Sequence, residues 1–301
     1  IFEKGLGSGK FSEATAVGLG NLKSITVILS LVGILLTVFF VHKKVKGALL
    51  WGILGTYVLG IICQLVGLYK VNPDAGMFNL IPEAFISFPP SLKPVFLQFD
   101  FQGALKLGVD FLVILFAFLF VDFFDTVGTL IGVASKADLL DKEGNLPKAK
   151  EALMADAVGT AAGACLGTST VTSYVESAAG VAEGGRTGLT SLVTGILFIV
   201  SLIFSPILTI IPGFATAPAL VVVGLFMISV VTKIDFSNDF TEALPSFLAI
   251  IIMPLAGSIA DGIMFGIMSY VILKVVTGKY KELHPIMYVL FILFVLKIIF
   301  G

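Results

Sequence analysis

Long apolar runs separated by short polar turns dominate the chain, and they predict membrane-spanning helices. The first two runs cover residues 22–41 and 47–68, and a third covers residues 104–134. A helix crosses a bilayer with about 20 apolar residues, so the third run is longer than a crossing requires. The apolar residues are continuous rather than alternating, which excludes the strand pattern of a membrane barrel.

Further apolar runs follow in the second half of the chain. They cover residues 151–166, 188–211, 218–232, 242–256, 259–276 and 285–300. The pair 242–256 and 259–276 predicts a tight hairpin through Gly257, and the last run either spans the membrane or lies in its interface. Basic residues follow alternate spans, which places those loops in the cytoplasm by the positive-inside rule. This alternation requires residues 167–185 to make one full crossing.

Two other segments interrupt the apolar pattern. Residues 1–21 are rich in glycine with mixed charge and predict a loop, and residues 70–100 carry five prolines and predict a long external loop. The sequence begins with Ile1 rather than methionine, and we interpret it as the C-terminal part of a longer protein.

Composition supports an integral membrane protein. The 301 residues are 57% hydrophobic and 13% charged, with a mean hydropathy of +1.06. Soluble domains are about 45–50% apolar and about 25% charged. The net charge of −1 argues against a nucleic-acid partner. Cys63 and Cys165 lie inside apolar runs and His42 and His284 at segment edges, so neither a disulfide framework nor a metal site is expected.

The stretch 167–185 differs from every other apolar run. Residues 168–174 are dense in β-branched and hydroxyl side chains, which favour an extended backbone. Residues 175–182 are small and helix-compatible, and we place Glu176 in the first turn of a short half-helix. Irregular backbone at membrane depth is tolerated only where protein or a water-filled cavity covers it. A half-helix that starts inside the membrane therefore indicates a binding site.

Asp125 and Glu176 are the strongest candidates for chemistry. An ionised carboxylate at mid-bilayer costs roughly 2.5–3.5 kcal/mol or more. No Lys or Arg lies between Lys106 and Lys136 or within residues 152–185. The two acids are therefore protonated, hydrated, bonded to neighbouring hydroxyl or backbone groups, or satisfied by the N–H donors of a ligand. Two carboxylates facing one cavity suit a flat ligand with several ring N–H groups, and either could carry a coupling proton.

Other polar and aromatic residues can each be interpreted in two ways. Asp122 either supports the site or lies at its rim, and Asp261 is better explained by the start of its helix. Several hydroxyls could donate to a ligand, although hydroxyls in membrane helices often bond their own backbone: Thr126, Thr129, Ser169, Thr170 and Thr172. Phe120, Phe123 and Phe124 could stack on an aromatic ligand or pack against lipid and the core.

Two segments carry a family resemblance. Residues 121–134, VDFFDTVGTLIGVA, and residues 167–181, GTSTVTSYVESAAGV, resemble the azaguanine-type purine permeases. These form a branch of the nucleobase–cation symporter superfamily, also called the xanthine/uracil permeases. The resemblance runs along the whole chain. It implies an all-α polytopic membrane fold with fourteen spans in two inverted repeats of seven. Each repeat has a four-span core domain and a three-span gate domain, with a short strand plus half-helix at the substrate site.

The resemblance also implies a division of this chain. Residues 22–69 correspond to the last two spans of the first repeat, in its gate, and residues 101–213 to the core domain of the second repeat. Residues 214–277 correspond to the second gate, and residues 278–301 form a C-terminal apolar segment beyond the fourteen spans. Five N-terminal spans of the family are then absent from this sequence.

By position, Asp125 and Glu176 match the two carboxylates that hold nucleobase N–H groups in the family. The backbone N–H groups near Val175 and Ser177 would meet the carbonyl oxygen of the base. Thr129 stands where the uracil branch carries a histidine, which argues against uracil. The remaining residues expected at the substrate are Phe124 and Thr172.

The function implied is proton-coupled uptake of hypoxanthine, guanine or adenine by an elevator-type shift of core against gate. The expected protein is multi-pass in the plasma membrane, needs no cofactor and is not an enzyme. Its expected partners are a purine nucleobase, protons, the lipid bilayer and, in a homodimer, a second copy of itself. The alternatives are an anion carrier of the same fold, which two acids would disfavour, and a passive channel. An intramembrane aspartyl protease is disfavoured because the chain has no Gly-x-Gly-Asp motif.

Overall fold

Helices account for most of the structure. The computed structural model describes residues 2–4, 17–19, 21–73 and 76–300. Strands Phe2–Lys4 and Val17–Leu19 pair in antiparallel fashion, with Phe2 opposite Leu19. Part of the segment predicted as a loop is therefore a short ladder, and the rest of residues 1–20 lies outside the described residues.

The described residues form twelve helices, α1 to α12 in chain order. The first six are α1 Ile25–His42, α2 Ala48–Leu65, α3 Phe101–Lys106, α4 Val109–Lys136, α5 Ala149–Leu166 and α6 Ser177–Ala182. The others are α7 Gly188–Ser201, α8 Ser205–Leu208, α9 Gly213–Met227, α10 Phe240–Ala256, α11 Ile259–Val276 and α12 Pro285–Phe300. Short 3-10 turns, Ile228–Lys233 and Tyr280–Glu282, follow α9 and α11.

Five helical segments of the described chain are long and apolar enough to cross a membrane. They are Ile25–His42, Ala48–Leu65, Asp110–Lys136, Gly213–Thr232 and Ile259–Val276. Helices α7, α10 and α12 are apolar but shorter. Large apolar side chains point outward along these helices, as lipid-facing residues do. The prediction of a helical, polytopic membrane protein is confirmed at this level.

Two predicted spans are interrupted in the structure. The run 104–134 is divided between α3 and α4 at Gly108, whose φ of 57° suits a residue without a side chain. The run 188–211 ends as a regular helix at Ser201, and the chain turns before α8 begins at Ser205. Pro206 lies at the start of α8 and has no backbone N–H to continue the preceding helix. The lengths of both spans were predicted from apolar composition, and composition does not reveal these local breaks in the helices.

Helices α1, α2 and α9 pack into one group around small residues. A Cβ atom on Gly33 of α1 would lie 2.6 Å from Thr56 Oγ1 of α2 and 2.8 Å from Pro218 Cγ of α9. The loop after α2 folds back onto this group, because Leu80 is buried and its carbonyl oxygen accepts a hydrogen bond of 2.6 Å from the Tyr57 hydroxyl. These contacts link the first two spans directly to α9.

Helices α10 and α11 form the predicted hairpin through Gly257, which has a φ of 61°. At the opposite end the buried Lys274 ammonium donates to Glu242 at 3.1 Å and to Glu282 at 2.6 Å. Beside it, Lys279 donates to Asp239 at 2.6 Å. This hydrogen bond, helped by the side chain and N–H of Thr241, lowers the pKa of Asp239 below its ordinary value. The contribution of this hydrogen bond to folding stability is therefore present at neutral pH. It is lost only in strong acid, as the pH falls through the lowered pKa of Asp239.

The close approach at Gly33 leads to a stability prediction. Gly33→Ala places a methyl group against Thr56 and Pro218, and overpacking of this kind costs about 1–3 kcal/mol. We expect a lower Tm for the purified protein in detergent. Gly224→Ala on α9 is the control, because a Cβ there meets nothing within 4 Å. Equal Tm values for the two variants would contradict the packing described.

Candidate functional site

Residues 167–185, which the sequence predicts to cross the membrane, do not form a continuous helix. Helix α5 ends at Leu166, Gly167 adopts a left-handed φ of 80°, and residues 168–174 run without helical structure. Helix α6 then covers only Ser177–Ala182. Arg186, which follows this helix, donates to the carbonyl oxygens of Val181 and Gly185. The predicted break is present. Residues 168–174 have no strand partner within the described chain, and Glu176 lies immediately before α6 rather than in its first turn.

A first hydrogen-bonded group fixes the extended segment to α4 and α5. The Thr170 hydroxyl donates to the Asp122 carboxylate on α4. On α5, the Thr160 hydroxyl donates to the Val171 carbonyl oxygen at 2.9 Å and accepts from the Val171 N–H at 3.1 Å. The Thr160 side chain thus supplies two hydrogen bonds to the Val171 backbone that a regular helix would have supplied itself.

A second hydrogen-bonded group joins α4, α5 and the extended segment, two residues further along that segment at Thr172. The Thr126 side chain of α4 is 1% exposed and donates to Asp156 Oδ2 on α5 at 2.8 Å. Its oxygen also lies 2.9 Å from the Thr172 hydroxyl of the extended segment. Thr172 was expected at the substrate, and here its hydroxyl helps to join three elements.

Sequence reasoning missed Asp156 and gave Asp122 a choice of roles. A signal was present, because Asp122 and Thr126 are four residues apart on α4, as are Asp156 and Thr160 on α5. Residues at this spacing share one helix face. The two faces meet the extended segment between them. The sequence analysis described residues 151–166 only as an apolar run, and it overlooked this pairing.

Small residues of α5 allow the extended segment to pack closely against this helix. A Cβ on Gly163 would lie 2.9 Å from Thr168 Cγ2 and 3.0 Å from Val171 Cγ2, and one on Gly159 would lie 3.3 Å from Val171 Cγ1. These glycines let the extended segment lie directly against the helix. Its threonines consequently reach the polar face of α5.

Asp125 and Glu176, the two predicted ligand carboxylates, have no hydrogen-bond donor among the residues that the structure describes. Asp125 is partly buried and Glu176 is exposed. Helix α6 packs against α4 and α9, and Ala178 at that contact is fully buried. Thr126, which follows Asp125 on α4, is hydrogen-bonded to Thr172 of the extended segment, and Glu176 lies four residues after Thr172. Asp125 and Glu176 therefore belong to one region of the structure. Thr129, one turn further along α4, is buried at 5% exposure.

The predicted backbone donors differ from each other. The Ser177 N–H donates to the Tyr174 carbonyl oxygen at 3.1 Å and closes the turn that starts α6. No hydrogen bond of the described residues uses the N–H of Val175 or Glu176. The open donors therefore lie one and two residues before Ser177.

Phe124 lies among other aromatic side chains. Its ring centroid is 4.6 Å from that of Phe120 and 5.3 Å from that of Phe123. It also packs against the buried cluster of Phe120, Met264 and Phe294. Its contacts within the described chain are those of a core residue.

Taken together, the apolar helices and the irregular polar segment among them define a polytopic α-helical membrane protein. The chain belongs to the xanthine/uracil permease family, whose sequence model, described as "Permease family", matches residues 1–265. Membership of this family and the apolar helices make the chain part of a multi-pass plasma-membrane protein of the permease family.

Individual relatives support the same assignment. The chain is 49% identical to a "Putative permease" of Methanocaldococcus jannaschii over 96% of its own length and 63% of the relative's. It is 43% identical to the guanine/hypoxanthine permease PbuG of Bacillus subtilis, over 96% of this chain and 62% of that protein. It is 37% identical to the adenine permease AdeP of Escherichia coli, over 95% and 60%. The chain thus spans about three fifths of the length of these relatives.

The network around Thr126 predicts a local loss of order on substitution. Thr126→Val keeps the side-chain shape but removes the donor to Asp156 and the partner of Thr172, and an unsatisfied buried group costs about 1–3 kcal/mol. We expect a lower Tm and faster hydrogen exchange at the Val171 N–H, which is bonded to Thr160 within the same segment. Thr126→Ser retains the hydroxyl and should keep the wild-type exchange rate. Equal exchange in the valine and serine variants would show that these bonds do not hold the segment.

Proposed function

We propose that the protein containing this chain takes up purine nucleobases, namely hypoxanthine, guanine or adenine, together with protons. One observation carries the proposal: two carboxylates that accept no hydrogen bond from the described residues lie near an irregular segment whose backbone also has open N–H groups. The names of PbuG and AdeP, which describe guanine/hypoxanthine and adenine permeases, support this substrate class.

The chemistry of an oxopurine complements these groups. Hypoxanthine and guanine carry ring N–H donors at separate edges and a carbonyl oxygen that accepts hydrogen bonds. In our proposal the Glu176 and Asp125 carboxylates accept from ring N–H groups, and the N–H groups of Val175 and Glu176 donate to the carbonyl oxygen. Hydrogen bonds to charged groups are roughly twice as strong as neutral ones, so the carboxylates supply much of the affinity.

Supporting residues set the position of these groups. Asp122 and Asp156 accept from Thr170 and Thr126, so both are already engaged in holding the extended segment. We assign them to positioning and leave Asp125 and Glu176 for the ligand. Thr129 and Thr172 lie beside the proposed ligand on α4 and on the segment. We place Phe124 behind the site, where it supports the site through its contacts with Phe120 and Phe123.

Charge disfavours the anion-carrier alternative. Four acids, Asp122, Asp125, Asp156 and Glu176, lie on α4, α5 and the segment, and no Lys or Arg lies within residues 152–185. An anion placed among them would meet repulsion at short range in a weakly screening environment. A neutral heterocycle that donates hydrogen bonds meets none.

Proton coupling follows from the same lack of cations. A carboxylate without a basic partner must be neutralised or bonded before it moves through a low-dielectric region. We propose that Glu176, Asp125 or both take up the coupled proton. The core, residues 101–213, would then shift in elevator fashion against the gate, which includes residues 22–69 and 214–277. The packing of α1 and α2 against α9 supports treating these gate elements as one body. A homodimer stays a prediction from the family resemblance.

Substrate class is tested most simply by competition. Unlabelled purines and pyrimidines are added in turn to cells that express the full-length protein and take up labelled hypoxanthine. We expect hypoxanthine, guanine or adenine to compete and uracil to compete poorly. Uptake that is non-saturable or indifferent to the proton gradient would favour a passive channel, and competition by inorganic anions alone would favour the anion carrier.

Glu176→Gln should abolish purine uptake while the protein still reaches the membrane. The amide presents one acceptor instead of two and cannot carry the coupled proton. Labelled hypoxanthine uptake is measured beside membrane content. Glu183→Gln at the other end of α6 is the matched control, because the amide oxygen can still accept from the Gly47 N–H as Glu183 does at 3.1 Å. Wild-type uptake by Glu176→Gln would remove this residue from the site.

Asp125→Asn should weaken binding or coupling. Loss of one charged hydrogen bond corresponds to roughly a tenfold to hundredfold rise in the half-saturation concentration. The dependence of uptake on external pH should flatten if Asp125 shares the coupled proton. Asp110→Asn, an exposed position near the start of the same helix, serves as the control. Unchanged affinity together with an unchanged pH profile would refute a role for Asp125.

A further inference from the structure

Helix α12 lies outside the residues matched by the family's sequence model, which ends at residue 265. The helix covers Pro285–Phe300 and is apolar apart from Lys297 near its end. Sixteen residues make a helix about 24 Å long, close to the thickness of the hydrocarbon core. The proposed transport function gives this helix no role.

Contacts at both ends attach α12 to α11 in an antiparallel arrangement. Near the end of α12, Lys297 Nζ lies 3.3 Å from Asp261 Oδ1 in the first turn of α11. Near its start, the Tyr288 hydroxyl donates to the carbonyl oxygen of Tyr280 at 3.1 Å, in the turn that follows α11. Since both ends are attached to the same neighbour, α12 moves with α11.

The middle of α12 contacts a different helix. Phe294 is 1% exposed, and its ring centroid lies 4.7 Å from that of Phe120 on α4 in an edge-to-face arrangement. Phe116, one turn earlier on α4, has its ring centroid 6.5 Å away. Met264 of α11 completes the buried cluster. Phe294 therefore lies between α11 of the proposed gate and α4 of the proposed core.

We propose that α12 is carried by the gate and that Phe294 forms a releasable contact with Phe120 of the core. This inference rests on the proposed elevator movement of core against gate. In this conformation the two rings hold α4 against the α11–α12 pair. A displacement of the core must separate them, because a packed aromatic pair cannot accommodate a shift of several ångströms. Breaking and reforming the contact is then a step of every transport cycle.

Cross-linking with a short bis-thiosulfonate reagent, which joins two cysteines through reducible disulfides, tests the release step in the full-length protein. The chain's two free cysteines, Cys63 and Cys165, are first replaced by serine. Phe120→Cys with Phe294→Cys joins core to gate, and Met264→Cys with Phe294→Cys joins two gate helices as the matched control. After reaction with the linker we expect the first pair to lose hypoxanthine uptake at least tenfold and to regain it with a reductant. The control pair should cross-link and keep its uptake.

The outcomes separate this inference from the transport proposal. The cross-linked core–gate pair should still bind labelled hypoxanthine, because the carboxylates and backbone N–H groups proposed to hold the base are unchanged. Full uptake by that cross-linked pair would overturn the release step. Failure of the core–gate pair to cross-link, where the control pair does, would overturn the contact itself. Lack of purine uptake by the unmodified protein would instead refute the transport function, whatever the cross-linking result.

Discussion

The structure depends on one constraint: a backbone that leaves its helix inside a membrane must find hydrogen bonds elsewhere. Residues 168–176 are not helical, and side chains of α4 and α5 form hydrogen bonds that hold this segment. Asp122 binds Thr170, Thr160 binds Val171, and Thr126 is shared between Asp156 and Thr172. Bonds of this kind are strong where water is scarce, and leaving any of them unmade is costly. The broken crossing is thus a rigidly supported feature.

This support separates the acids that hold the extended segment from the acids proposed to bind the ligand. Carboxylates that already accept a threonine hydroxyl fix the segment, whereas Asp125 and Glu176 keep their acceptor capacity for something else. The open N–H groups of Val175 and Glu176 add donors beside these acceptors. A purine, which carries both donors and acceptors on its rim, fits such a mixed set better than a simple anion. The same separation explains why the site needs no cationic side chain.

Much of this arrangement could be predicted from the sequence, and the limits have physical causes. Continuous apolar runs located the spanning helices, and the β-branched, hydroxyl-rich run 168–174 located the break. The turn at Gly108 and the end of α7 were missed because hydropathy averages over a window and is insensitive to one backbone angle. Asp156 was missed because its partner, Thr126, lies 30 residues away, and such pairing emerges only when helices pack. The hydrogen bond of the Ser177 N–H depends on turn geometry that composition does not specify.

A structure of the full-length protein with hypoxanthine bound tests the central claim most directly. The account predicts the base beside residues 174–177, with a ring nitrogen within hydrogen-bonding distance of the Glu176 carboxylate and with Asp122 and Asp156 still bonded to their threonines. A base bound elsewhere, or one that displaces the threonines from Asp122 and Asp156 while leaving Glu176 without contact, would contradict it.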